Sequence, residues 1–312
     1  MRKGAKITLI TISAILAAGI IGGAAFFCGA VSTLFAGSGP ASSFSGNNIA
    51  LIRMDGLISA SGGGTLFSGA GTSPESIINQ ILAAEHDSSV KAILIRVNSP
   101  GGSAAASQEM YLEVLRATKP VIISVGDVCA SGAYYVSSAA DFIMASPSSL
   151  VGSIGVITEI SNYEELYSKL GVKFIIIKQG KYKDLGDPSR EPTAEEIELL
   201  KEQGERVYER FIKDVAAGRN INEADVRKMA TGMTFLGQEA LGMMLIDGLG
   251  NYEDAVMKAA ELGGIKGRPN IVDYSTPSIW DVLSGRAFIK SLRDAVLEGI
   301  SLSPSYGGQS IR

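Results

Sequence analysis

In the stretch DVCASGAYYVSSAAD, Asp127 to Asp141, the first serine, Ser131, stands among residues too small to shield its hydroxyl. A serine oxygen between Ala130 and the pair Gly132-Ala133 could attack a closely approaching carbonyl, which is acyl-transfer chemistry and needs a base to take the proton. The one histidine, His86, lies in AAEHDSS, flanked by acid and serine, a sequence that fits a solvated helix C-terminus. A Ser-His-Asp triad is therefore not expected, and the other base that works with serine is a neutral lysine. Free lysine titrates near about 10.4, so such a base must be desolvated. The segment IIIKQGKYKDLGDPSRE offers Lys178, Lys181 and Lys183, which spacing alone does not separate. A second small-residue segment, VNSPGGS from Val97 to Ser103, could turn backbone N–H groups toward a developing oxyanion. Each feature also has a plainer reading: Ser131 as an N-cap among packing residues, Pro100-Gly101-Gly102 as an ordinary turn, the lysines as surface charges.

Apolar runs and helical patterns alternate along the chain that must carry these groups. IALIRM reads as a strand, SPESIINQILAAEHD as a helix capped by Ser73 with Pro74 in its first turn, and VKAILIRV as a strand. SAAASQEMYLEVLRA then reads as helix, PVIISV as strand, the Ser131 segment as helix, DFIMAS and SLVGSIGVI as strands, NYEELYSKL as helix and VKFIIIK as strand. A long helix opened by the capping box Thr193 to Glu196 runs to about Ala217, and shorter helices are expected near 222–230 and 252–262. Strand and helix in alternation mean βαβ units and a largely parallel sheet, an α/β domain. Ser131 would then sit where a strand gives way to a helix, above the carboxyl edge of the sheet, where open α/β folds bind ligands.

The chain has 312 residues, 46% hydrophobic and 19% charged, which suits a folded domain with a large core. Residues 7–36 run without a charge, longer than the roughly 20 residues needed to span a hydrocarbon core, so a single N-terminal transmembrane helix is expected. Arg2, Lys3 and Lys6 precede it and the next basic residue is Arg53, which predicts a cytoplasmic N-terminus and a domain outside the cytoplasm, in the cell membrane. A cleaved signal peptide ending near Cys28-Gly29-Ala30 is the rival reading. Beyond residue 36 stand 25 basic against 32 acidic residues, which argues against nucleic acid as a partner. The two cysteines, Cys28 and Cys129, are not expected to pair. The expected organisation is a stub and anchor over 1–36, a Gly/Ser-rich tether over 37–47, one domain over 48–263, and a C-terminal helical extension with a polar tail over 264–312.

RVNSPGG, ASGAYYVSSAAD, GSIGVI and GKYKDLGDPSRE, in that order behind an apolar N-terminal segment, resemble the signal peptide peptidase A family, the S49 class of serine proteases, in its short single-domain form. The resemblance covers roughly residues 48–262. It implies a ClpP/crotonase-like fold of repeated ββα units, with Ser131 as nucleophile, Lys183 as general base 52 residues later, and Ser153 holding the lysine amine. It further implies an oxyanion hole of the Gly101 and Gly132 N–H groups, no metal or other cofactor, and peptide substrates such as remnant signal peptides. It also implies a homo-oligomeric ring, an octamer, in which one protomer's serine meets its neighbour's lysine. The rival classes are an acyl-CoA enzyme of the crotonase superfamily and a membrane-anchored scaffold without activity.

Overall fold

The structure, a computed structural model, describes residues 47–60 and 71–275. The expected membrane anchor, most of the tether and the tail from residue 276 lie outside the described residues. Among the described residues no helix is long and apolar enough to cross a membrane.

Strand β1 (Asn48–Ile58), helix α1 (Pro74–His86), strand β2 (Val90–Gly102), helix α2 (Ala104–Arg116) and strand β3 (Val121–Ala130) form two successive parallel crossovers. The run Ala92–Ile95 in β2 has no polar side because both of its faces are covered. Ile93 and Ile95 pack with Ile77, Ile81 and Met110 of the helices on one face. Ala92 and Leu94 pack on the other face with Ala255, Val256 and Ala259 of helix α8 (Tyr252–Leu262). Helix α1 starts where Ser73 accepts a bond from the Ser76 N–H, with Pro74 in its first turn, as expected from sequence.

After β3 come the short helix α3 (Gly132–Ser137) and strands β4 (Phe142–Ala145) and β5 (Leu150–Gly152). Helix α4 (Glu164–Lys169), the long helix α5 (Ala194–Arg219), helix α6 (Glu223–Met229), strand β6 (Thr234–Leu236), helix α7 (Gly237–Gly242) and strand β7 (Gly248–Leu249) precede α8 and a last strand, β8 (Asn270–Asp273). The sheet runs β6-β5-β3-β2-β1-β8, with β4 on β3 and β7 on β4, and is parallel except at β5-β6. The start of β3 pairs with β4 over Ile122–Ser124, and its end pairs with β5 over Val128–Ala130. That change of partner brings the end of β3 beside Gly152.

The structure departs from the sequence reading at four places. VKFIIIK forms no strand: Ile175 and Ile177 are 88% and 89% exposed, and no strand among the described residues pairs with them. Of SLVGSIGVI only Leu150–Gly152 is strand, since Ser153 turns the chain at φ 53°. The Pro-Gly-Gly segment is not a free turn but the end of β2, with Gly101 and Gly102 paired to Leu57 and Ile58. Residues 270–273, expected within a helical extension, form β8 and extend the sheet beyond β1.

Candidate active site

Strand β3 is buried from Val121 to Val125 and again at Cys129 and Ala130, so its end is held on both sides, and Ser131 is the residue that leaves it. Ser131 has φ 52° and ψ −124°, a left-handed conformation that costs a non-glycine residue about 1–3 kcal/mol. The turn is pinned from both ends: the Ser131 N–H donates to the Gly152 carbonyl at 2.8 Å, and the Tyr135 N–H donates to the Ser131 carbonyl at 2.9 Å. All six residues of α3 are buried. The Ser131 side chain makes no capping bond to this helix, although it stands at the N-cap position. A capping serine uses its oxygen on the helix; this one leaves it free for other chemistry.

The end of β2 lies directly against this turn. A Cβ on Gly101, at φ 94°, would fall 2.6 Å from the Gly132 nitrogen and 2.9 Å from Ser131 Cβ, closer than any side chain tolerates. Only glycine lets the two segments approach so closely. The Gly101 N–H donates to Ser99 Oγ at 3.1 Å, and Ser99 in turn donates to the Gly56 carbonyl at 2.6 Å, which fixes the orientation of the segment.

Ser131, Gly132 and Ser153 line one cleft of about 1330 Å³. Its walls are largely apolar, with Leu57, Ile58, Ile157, Leu200 and Phe211 among them. Ser153 is locked by its N–H to the Met233 carbonyl at 2.8 Å, and its Oγ donates to the Gly232 carbonyl at 3.0 Å, which leaves the oxygen's lone pairs able to accept. The Tyr135 ring stacks on Phe211 with centroids 4.7 Å apart, and its hydroxyl donates to Asp214 Oδ2, tying α3 to α5. Cys129 is no rival nucleophile: full burial pushes its thiol up to about 12, so it stays protonated. His86 is exposed at the end of α1 and does not line the cleft.

None of Lys178, Lys181 and Lys183 lines this cleft. Lys178 is committed to Asp184 at 2.5 Å and Lys181 to Glu195 at 2.6 Å. Lys183 sits on an exposed turn closed by its own N–H to the Gly180 carbonyl, and among the described residues its amine has no hydrogen-bond or ion-pair partner. Within one chain the structure thus gathers Ser131, Gly132, Gly101 and Ser153, and leaves Lys183 apart. The sequence reading did not include the cleft face of α5, where Ile197, Leu200, Lys201, Gly204, Val207 and Phe211 follow one another at helical spacing, nor Thr231 and Gly232. The three- and four-residue spacing of apolar positions on α5 was the available signal.

A sequence model of peptidase family S49 matches residues 113–266, which include Ser131, Ser153 and Lys183. A Clp protease model matches residues 70–150, which include Gly101 and Ser131. A candidate protease of Methanocaldococcus jannaschii is 42% identical over 199 residues, 63% of this chain and 64% of that protein. A candidate protease of Synechocystis is 40% identical over 187 residues, 59% of this chain and 67% of that protein. The chloroplastic serine protease SPPA of Arabidopsis thaliana is 36% identical over 246 residues, 77% of this chain but 36% of that protein. Apart from the Synechocystis protein, then, the chain spans less than two thirds of these relatives' own lengths. With the α/β sheet, the serine-bearing turn and the motifs on either side of it, these matches establish that the chain belongs to peptidase family S49, the SppA and protease 4 family.

Proposed function

We propose that the protein is a membrane-anchored serine endopeptidase in which Ser131 is the nucleophile and Lys183 the general base. The observation that carries this reading is the left-handed Ser131 turn, whose hydroxyl does not cap the helix behind it and faces an apolar cleft. A neutral lysine amine takes the Ser131 proton as the oxygen attacks a peptide carbonyl, then gives it to the leaving amine, and water hydrolyses the acyl-enzyme. Ser153 Oγ, donating to Gly232, keeps a lone pair for the lysine N–H. The Gly132 N–H meets the oxyanion directly; the Gly101 N–H, which donates to Ser99 at rest, must be shared with it. The apolar walls suit unfolded apolar segments, including remnant signal peptides, and the uncharged run over 7–36 would tether the cleft next to the membrane that releases them.

Lys183 stands apart from its own chain's cleft, which supports its supply by a neighbouring copy, in a homo-oligomeric ring of shared sites. The exposed apolar segment that joins Ser153 to the lysine loop supports this. Ile157 is 91% exposed, and Ile175 and Ile177 nearly as much, a surface that a second copy would cover. The test is complementation on peptide cleavage. Ser131→Ala and Lys183→Ala should each be inactive, and mixed assemblies of the two should regain activity; inactive mixed assemblies, verified with differently tagged subunits, refute the shared site. Lys201, which does line the cleft, should be dispensable. An inactive Lys201→Ala beside an active Lys183→Ala would move the base onto α5. Labelling of the wild type but not Ser131→Ala by a serine-directed phosphonate excludes an inactive scaffold.

A further inference from the structure

The backbone of the lysine loop makes no bond that fixes it against helix α5. Between residues 178 and 191 the backbone donors reach back three residues, Lys183 to Gly180, Leu185 to Tyr182 and Asp187 to Asp184, and one bond leaves the loop, from the Tyr163 N–H to the Pro188 carbonyl at 2.7 Å. These bonds shape the loop and tie it to the start of α4, but none of them reaches α5.

Arg190 ties it to α5 through buried carboxylates, beside the exposed contacts that Lys181 and the Tyr182 hydroxyl donate to Glu195. A guanidinium has five N–H donors in a rigid fork, and all five of Arg190 are used. Nε donates to Asp184 Oδ2 at 2.9 Å and Nη2 to the Asp184 carbonyl at 3.0 Å, so both the side chain and the backbone of the residue after Lys183 are held. Nη2 and Nη1 then grip Glu196 Oε1 and Oε2 at 2.6 and 2.8 Å, and Nη1 also reaches the Glu191 carbonyl at 3.0 Å. Glu196 is the carboxylate of the α5 capping box: the Thr193 N–H donates to its Oε2 at 2.8 Å, and its own N–H donates to Thr193 Oγ1. The next residue, Ile197, already lines the cleft. Lys178 fills the remaining oxygen of Asp184. The two carboxylate side chains are only 8% and 5% exposed, and Arg190 holds both down at about 2, so the cluster stays fully ionised across any working pH.

We infer that Arg190 is the positioning residue for Lys183, coupling the lysine loop to the first turn of the helix that walls the cleft. This inference rests on Lys183 being the base. Its consequence is specific: loss of Arg190 should misplace the amine while leaving the apolar walls that bind substrate in place. A displacement of about 1 Å at a reacting group costs about 100-fold in rate.

The test is steady-state cleavage by full-length Arg190→Gln and Arg190→Lys, with thermal melting and oligomer size measured on the same preparations. Arg190→Gln should lose about 100-fold in kcat with KM within about twofold of wild type. Its rate of phosphonate labelling at Ser131 should fall in parallel. Without the arginine, Asp184 and Glu196 keep only the Lys178 cation between them, a net negative charge next to Lys183 in sequence, so the rise of kcat/KM with pH should move to higher pH. Arg190→Lys keeps a charge but has three donors and no fork, so it should fold and still lose at least tenfold in kcat; it decides the matter if Arg190→Gln does not fold. Wild-type kcat and pH profile in a folded Arg190 variant would overturn the inference, whatever the melting temperature. An active Lys183→Ala would instead overturn the base assignment, which separates the two failures.

Discussion

Gly204 stands in the middle of α5, a 26-residue helix, where glycine has no structural excuse. A Cβ placed on it meets nothing within 4 Å, so no neighbouring atom demands the missing side chain. Glycine in a helix interior is destabilising by about 0.5–1 kcal/mol relative to alanine, through the backbone freedom it gives up on folding. Gly204→Ala should therefore stabilise the fold by about that amount, with no packing penalty to subtract. For a folded body of about 150–250 residues each kcal/mol moves Tm by about 2–4 °C, so the expected gain is about 1–4 °C. Scanning calorimetry on the full chain reads it, with the oligomer size checked by sedimentation. The same residue lines the cleft with Ser131, and the added methyl group points into open cleft. The variant should thus be more stable and yet cleave peptides with bulky apolar residues less well than peptides with small ones, and Gly204→Leu should widen that difference. A fall in Tm would refute the reasoning, because it would mean that other atoms occupy the space beside Gly204 in the folded protein.

Two further outcomes follow from the site. Gly101→Ala places a methyl group against the Gly132 nitrogen and Ser131 Cβ at φ 94°, so the strain alone costs about 1–3 kcal/mol, and activity should be lost together with several degrees of Tm. Unchanged cleavage by this variant would mean that the end of β2 does not press on the serine turn. Asp184 and Glu196 are held at about 2, below the ordinary carboxylate range, by Arg190 foremost. A depressed carboxyl group stabilises the fold fully above its unfolded value near about 4 and loses that contribution as pH falls toward 2. Thermal stability should therefore fall across that window, and Glu196→Gln should flatten the fall; an equally steep profile in Glu196→Gln would assign it to other carboxyls.

The parts of the site carried by strands with covered faces were legible from residue types alone. The apolar runs before Gly101 and Ser131 read as buried parallel strands, and the small residues after each allowed close approach at one edge, although an ordinary turn and an N-cap fitted them as well. The conformation of Ser131 was not legible, because φ 52° is held by its N–H donating to the Gly152 carbonyl and by the Tyr135 N–H donating to its own carbonyl, partners that are distant or downstream and leave no local mark. Nor was the change of partner along β3, which depends on where two short strands, β4 and β5, end.

The segment VKFIIIK is the instructive failure. Its apolar run has no polar alternation, the pattern of a strand covered on both faces, yet Ile175 and Ile177 face solvent and no ladder forms. Hydrophobic patterning reports that a surface must be buried and is silent about which chain buries it. Five residues after this run come Lys183 and the Arg190 cluster that anchors its loop to α5, so the part of the sequence that asks for burial and the part that bears the proposed base are one continuous unit. If a second copy covers the isoleucines, the same contact fixes the distance between one chain's lysine and the next chain's serine. Polar substitution at Ile175 or Ile177, residues outside the proposed catalytic pair, should then weaken assembly and peptide cleavage together.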